Sequence, residues 1–172
     1  MRKKTVSAIK WAVYIALLFF FFILQTTLPF LGIYEIRPVL AVSFIIALSM
    51  QEREWYAMAF GILAGFMWDF SSGKTPGFNA AILMLCCIAV SLATMYFAGN
   101  NFLNSMLFCG LTMVLQGLLD YLFYYLVWGY ENSHLILLRY ILPTALYTTA
   151  VVPLFFFPLR WLHRKFENLV EK

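Results

Sequence analysis

Apolar residues fall along this chain in long unbroken runs separated by short polar breaks, without the strict alternation of half-buried strands. Six runs occupy residues 11–29, 39–50, 55–70, 78–97, 102–128 and 135–159. A helix that crosses the hydrocarbon core of a bilayer needs roughly 20 apolar residues. The third run is slightly short of that, and the second is shorter still, rising only about 18 Å as an α-helix. The second run either begins earlier, near Ile33, or re-enters the side it came from. Beyond the last run, residues 160–172 place Leu162, Phe166, Leu169 and Val170 at helical spacing among Arg, Lys and Glu. That pattern predicts an amphipathic helix on the membrane surface, with a basic stop-transfer anchor as the alternative. The expected fold is therefore all-α, a polytopic integral membrane protein with one domain, 1–172, built as a six-helix transmembrane bundle.

Charge decides whether the second run crosses. With six spans, both termini share a side with Arg2, Lys3, Lys4, Lys10, Arg53, Arg160, Arg164, Lys165 and Lys172, against Arg37, Lys74 and Arg139 opposite. Basic residues collect on the cytoplasmic side, so this arrangement obeys the rule and a five-span one would turn the basic C-terminal run outward. Trp11, Trp55, Trp68, Trp128 and Trp161 all fall at or near the ends of runs, where the amphipathic indole prefers to sit.

Composition then removes whole classes of function. Hydrophobic residues make up 63% of the 172 residues and charged residues 12%, far from the balance of a soluble domain. A soluble fold of this length has too little interior to hide that much apolar surface. A soluble enzyme, a nucleic-acid module and a disordered chain are excluded, and the solvent is lipid. The basic start followed by an apolar run resembles a signal peptide, but the run is too long and no small-x-small cleavage site follows it, so a retained first span is expected. Cys86, Cys87 and Cys109 lie inside apolar runs and read as small buried residues, with neither a disulfide nor a metal site. His134 and His163 fall on opposite sides and cannot share a metal. Gly73-Lys74-Thr75 lacks the upstream glycine pattern of a phosphate-binding loop. With no nucleophile–base pair, metal cluster or phosphate cradle, the expectation is a non-enzymatic protein without a cofactor.

Polar residues inside an apolar bundle are the candidates that remain. Ala57, Gly61, Gly65 and Asp69 recur every four residues and share one face of the third helix. The Gly61–Gly65 pair is a small-xxx-small pattern, which lets another backbone come close. The expected occupant is a partner's membrane helix, with symmetric self-association into a homodimer as another use of the same face. Replacing Gly61 or Gly65 with Leu should then break the complex and spare the fold. On the fifth helix Thr112, Gln116, Asp120 and Tyr124 form a polar stripe that must face the bundle. Arg139 lies one turn into the sixth span. Asp69, Asp120 and Arg139 fall in the same half of the membrane, so an interhelical cluster is expected in which Arg139 pairs with Asp120 or Asp69. It is either a register-fixing ion pair, a ligand or proton-relay site, or a contact for a partner's helix. Pro143 is expected to kink the last span.

The chain resembles the rod shape-determining protein MreD family. The resemblance rests on Leu24-Gln25-Thr26-Thr27 closing the first span, on Arg37-Pro38 opening the second, and on Gly61-x-x-x-Gly65-x-x-x-Asp69 followed by the loop glycine Gly77. Leu138-Arg139-Tyr-Ile-Leu-Pro143 and the exit Pro158-Leu-Arg160 complete it. It implies a subunit of the bacterial cell-elongation machinery in the inner membrane. The implied partners are MreC and, through it, MreB filaments, RodA and a class B penicillin-binding protein that together make peptidoglycan. It also implies a likeness to the substrate-binding components of energy-coupling-factor vitamin transporters. Such a carrier would need an outward cavity lined by Asp69, Asp120, Arg139, Asn79 and Gln25. The resemblance supplies no catalytic motif, only interaction candidates: Gln25, Pro38, Gly61, Gly65, Asp69, Gly77, Arg139 and Pro143.

Overall fold

The computed structural model describes residues 2–27, 38–73, 75–126, 139 and 141–171. Its helices are α1 (Arg2–Thr27), α2 (Leu40–Ser49), α3 (Glu54–Ser72), α4 (Phe78–Ala93), α5 (Phe102–Tyr121) and α6 (Leu142–Glu171). α4 and α5 each run on into a π-helical turn, Thr94–Ala98 and Leu122–Leu126. Trp128 and His134 lie outside the described residues.

Side-chain bonds fix the direction of every helix. Lys10 near the start of α1, Glu52 between α2 and α3, and His163 near the end of α6 meet at one end of the bundle. Asn100, between α4 and α5, reaches Gln51 at that same end. At the opposite end Asp69 of α3 bonds Asn79 of α4, and Asn79 bonds Gln116 of α5. The helices therefore alternate up and down in chain order, and α1 starts at the end where α6 finishes.

Among the described residues four helical stretches are long and apolar enough to cross a membrane: Val6–Thr27, Phe78–Ala98, Phe102–Tyr124 and Leu142–Asn168. α2 is a different kind of element. Its 10 residues rise about 15 Å, and all of them are buried. An α-helix apolar on every side belongs where every side is covered, and α2 touches α1, α3, α4, α5 and α6. It is the centre of the core, with Val42, Phe44, Ile45, Ile46 and Leu48 interleaved between Tyr14 and Leu18 of α1, Leu83 of α4, and Val152 and Phe156 of α6. Lipid meets the outer faces, where Leu85, Leu103, Leu107, Leu111, Phe123, Leu146 and Leu154 are exposed.

The ends of α2 are held by other helices. Val39 precedes α2 and offers no side-chain cap, so the first amides of the helix need outside acceptors. Thr148 Oγ1 of α6 accepts from Val39 N at 3.1 Å, and Gln25 Oε1 of α1 accepts from Ala41 N at 3.1 Å. Ser43 Oγ donates back to the Thr148 carbonyl at 3.0 Å. Pro38, which opens this segment, is buried.

Two local expectations change. Pro143 lies in the first turn of α6, where π-helical backbone gives way to the α-helix that begins at Leu142, and not in the interior of one continuous α-helix. Arg139 and Ile141, just ahead of it, have π-helical backbone. Pro153 and Pro158 are the prolines inside α6, and the helix continues through both. The tail after Pro158 is consequently an extension of α6 rather than a separate surface helix, and its His163 is tied back to α1 and to the α2–α3 turn.

Candidate functional site

The polar residues gather at the α3–α4 turn. α3 ends at Gly73, whose φ of +63° closes the helix by donating its N–H to the Asp69 carbonyl at 3.2 Å. Gly77, at φ +93°, precedes α4. That left-handed position is one a side chain would strain, and it swings the chain so that the first amides of α4 point back at α3. The Asp69 carboxylate receives them. Oδ2 accepts from Gly77 N at 2.8 Å and from Ala80 N at 3.4 Å, and Oδ1 accepts from Asn79 N at 3.1 Å and from Asn79 Nδ2 at 2.9 Å. Gly77 is the N-cap residue of α4, and the Asp69 side chain does a cap's work from the preceding helix, its negative charge on the positive end of the α4 dipole.

The chain of bonds continues inward. Asn79 Oδ1 accepts from Gln116 Nε2 of α5 at 2.8 Å. Asp69, Asn79 and Gln116 are each no more than 3% exposed. Thr75 N donates to the Tyr124 hydroxyl at 3.2 Å, tying the turn to the end of α5. A carboxylate that accepts four hydrogen bonds from fixed donors is a clasp holding α3, α4 and α5 in register.

The glycine face brings α3 and α4 together. Ala57, Gly61, Gly65 and Asp69 are all buried, and α3 packs more extensively on α4 than any other pair of elements does. A Cβ built on Gly65 would overlap the Ala80 backbone and lie 2.8 Å from the Asn79 carbonyl carbon; one on Gly61 would lie 2.8 Å from the Leu83 carbonyl oxygen. The expectation that this face receives a partner's helix, or a second copy, is corrected on this geometry. α4 of the same chain already fills it, and no further backbone fits between them.

The other candidates scatter. Asp120 lies one turn beyond Gln116 and lines a cavity of about 140 Å³ with Trp68, Met113, Gln116, Gly117, Ile141 and Thr144. Arg139 is exposed, and the four donors to Asp69 are Gly77, Asn79 and Ala80 groups. The expected Arg139–Asp69 pairing is not how Asp69 is held. Gln25 serves the start of α2 and does not join the Asp69 chain.

A second cluster occupies the opposite end. Lys10 Nζ lies 2.5 Å from Glu52 Oε1, and His163 Nδ1 lies 2.9 Å from the same oxygen. His163 Nε2 lies 3.3 Å from Glu167. The Glu52 carbonyl accepts from Ser91 Oγ of α4 at 2.9 Å. Glu52 therefore joins α1, the α2–α3 turn, α4 and α6. Sequence reading missed it because its partners are over 40, 39 and 111 positions away or inside a basic run. The turn Gln51–Glu54 carries two carboxylates, Glu52 and Glu54, at the end where the basic residues of the first and last helices collect, and that is the signal that could have found it. Glu52→Ala is expected to lower stability in mild detergent by about 2 kcal/mol, because it leaves the half-covered Lys10 without its counter-charge. Thermal unfolding followed by size-exclusion checks this; an unchanged midpoint would make the pair a passive surface contact.

Among the described residues no group of three His, Cys, Asp or Glu side chains could hold a metal ion. The sequence model of the family described as rod shape-determining protein MreD matches residues 5–166. No curated protein sequence and no solved structure matches the chain.

Proposed function

Since the chain belongs to the MreD family of rod shape-determining membrane proteins, we propose that it is a non-enzymatic assembly subunit of the bacterial cell-elongation machinery. In this reading it binds MreC and so helps couple MreB filaments to RodA and a class B penicillin-binding protein. The observation that carries this reading is the family match over nearly the whole chain. The geometry agrees with it: the buried polar groups Asp69, Asn79 and Gln116 are spent on one another and on the start of α4, as befits a scaffold. Lys10, Arg53, Arg160, Arg164 and Lys165 all lie toward the Glu52 end, which supports reading that end as the cytoplasmic one of an inner-membrane protein.

With the glycine face filled, the partner helix needs another surface. α4 and α5 touch sparingly and enclose an apolar groove of about 200 Å³, lined by Cys86, Ala89, Val90, Ala93, Phe108 and Leu111. Ala89 and Ala93 repeat at four-residue spacing, the small-residue pattern a membrane helix packs against. Ala93→Trp is expected to cut MreC recovery about tenfold on affinity purification in mild detergent, while the variant elutes as a folded protein. Full MreC recovery with this variant would remove the groove from the reading. Wild-type protein that retains no MreC, and retains a transporter ATPase module instead, would overturn the assembly role itself.

The carrier alternative finds less support. Drug-sized ligands occupy pockets of about 300–1,000 Å³, and the Gln116–Asp120 cavity is about 140 Å³. Of the lining that reading requires, Asp69 and Asn79 are consumed in the clasp and Gln25 caps α2.

A further inference from the structure

A second apolar groove lies between α1 and α6, in the half of the bundle nearest the Glu52 end. Its walls are Leu17 and Phe21 of α1 and Leu154, Phe155, Pro158 and Leu162 of α6, and its floor is Phe44 of α2. Its volume is about 130 Å³. A hydrocarbon chain is apolar along its whole length and matches these walls. The groove opens to the side, since Leu154 is 70% exposed at its rim.

The end of the groove carries charge. Lys165 follows Leu162 by three residues and Pro158 by seven, so it stands on the same face of α6 one turn closer to water. Its ammonium lies 4.7 Å from the centre of the Trp161 ring, and Trp161 is 63% exposed. An exposed indole marks the depth of the headgroups, and a lysine held over it presents a cation at that depth. Nearby Lys10 is neutralised by Glu52, whereas Lys165 forms no ion pair among the described residues. An apolar slot ending in an interfacial cation is complementary to one molecule in particular: a lipid with a hydrocarbon tail below and an anionic phosphate above.

We propose that the α1–α6 groove is a binding site for an anionic glycerophospholipid, with one acyl chain against Phe44 and Pro158 and the phosphate at Lys165. The site is independent of the MreC-binding reading, since it uses neither the α4–α5 groove nor the Asp69 clasp. It makes lipid headgroup charge a property the bundle senses at the seam between its first and last helices.

The test uses the full chain in nanodiscs, probed with spin-labelled phosphatidylglycerol and phosphatidylcholine. A single lysine near the surface predicts about a fivefold preference for phosphatidylglycerol among the motionally restricted lipids. Lys165→Glu should bring that ratio to about one without changing the amount of restricted lipid. Leu154→Trp, placed on the exposed rim, should reduce restricted lipid of both kinds. A wild-type ratio near one, or a wild-type ratio retained by Lys165→Glu, would overturn the proposal. So would efficient crosslinking of two copies, or of a co-purified protein, through Leu154→Cys, because the slot would then belong to a protein.

Discussion

Gly65→Ala is expected to give a chain that inserts but holds its tertiary fold weakly, at a cost of about 3 kcal/mol or more. Adding one methylene to a packed interior usually costs about 1–3 kcal/mol, because side chains give way. Here nothing can give way cheaply. The new Cβ meets the backbone of Ala80 and Asn79, and that backbone is the first turn of α4, pinned by Asp69. α3 and α4 must separate, and separating them pulls the clasp open. Gly61→Ala is milder, since one of its close contacts is the Cys87 side chain. Gly73→Ala supplies the control: a Cβ there meets nothing within 4 Å, and the only penalty is its positive φ, about 1 kcal/mol. Unfolding midpoints in detergent should rank wild type, Gly73→Ala, Gly61→Ala and Gly65→Ala in falling order. A Gly65→Ala midpoint equal to wild type would show that the α3–α4 seam is looser than its geometry.

Asp69→Ala is expected to cost about 3 kcal/mol. Loss of an ordinary N-cap costs about 1 kcal/mol. The Asp69 carboxylate is buried, charged and shared among three amides and the Asn79 side chain, and buried donors left without an acceptor add further penalties. Asp69→Asn keeps one acceptor but turns an amide toward backbone donors, so it recovers only part of the loss. A double-mutant cycle with Asn79→Ala isolates the coupling: the second substitution should cost clearly less once Asp69 is gone. If Asp69→Asn left stability and abundance intact yet abolished rod shape in cells, the carboxylate would have a role beyond holding α4.

Much of the architecture is legible in the sequence. Lipid as solvent leaves helices as the economical solution for an apolar chain without barrel-like alternation, and the breaks at Gln51–Arg53 and Gly73–Gly77 mark real turns. The spacing of Gly61, Gly65 and Asp69 announces a close helix contact capped by a carboxylate. It does not announce whose helix, because a small-residue stripe is equally suited to a neighbour within the chain and to one outside it. The identity of the neighbour depends on Gly77, whose left-handed turn returns α4 directly onto α3. How Gln25 and Thr148 pair with α2 was unreadable for a related reason. Each satisfies α2 from a different helix, and pairings of that kind follow from packing, which no periodicity in a single helix records. Whether the tail is a separate surface helix or a basic anchor was not legible from its amphipathic spacing, which fits both; α6 carries through Pro158 and includes the tail.

The burial of α2 bears on how the protein is made. Helices that insert one at a time must each be content in lipid before they associate. α2 is too short to satisfy the bilayer alone, and the acceptor for the amide just ahead of it is Thr148, in α6, which is made 109 residues later. Its final environment does not exist until α6 has been made. α2 must therefore be sheltered at the insertion machinery, or wait at the interface, while α3 to α6 are threaded. Truncation before α6 would leave this segment stranded and mark the chain for proteolysis, so that the cell receives the whole bundle or none.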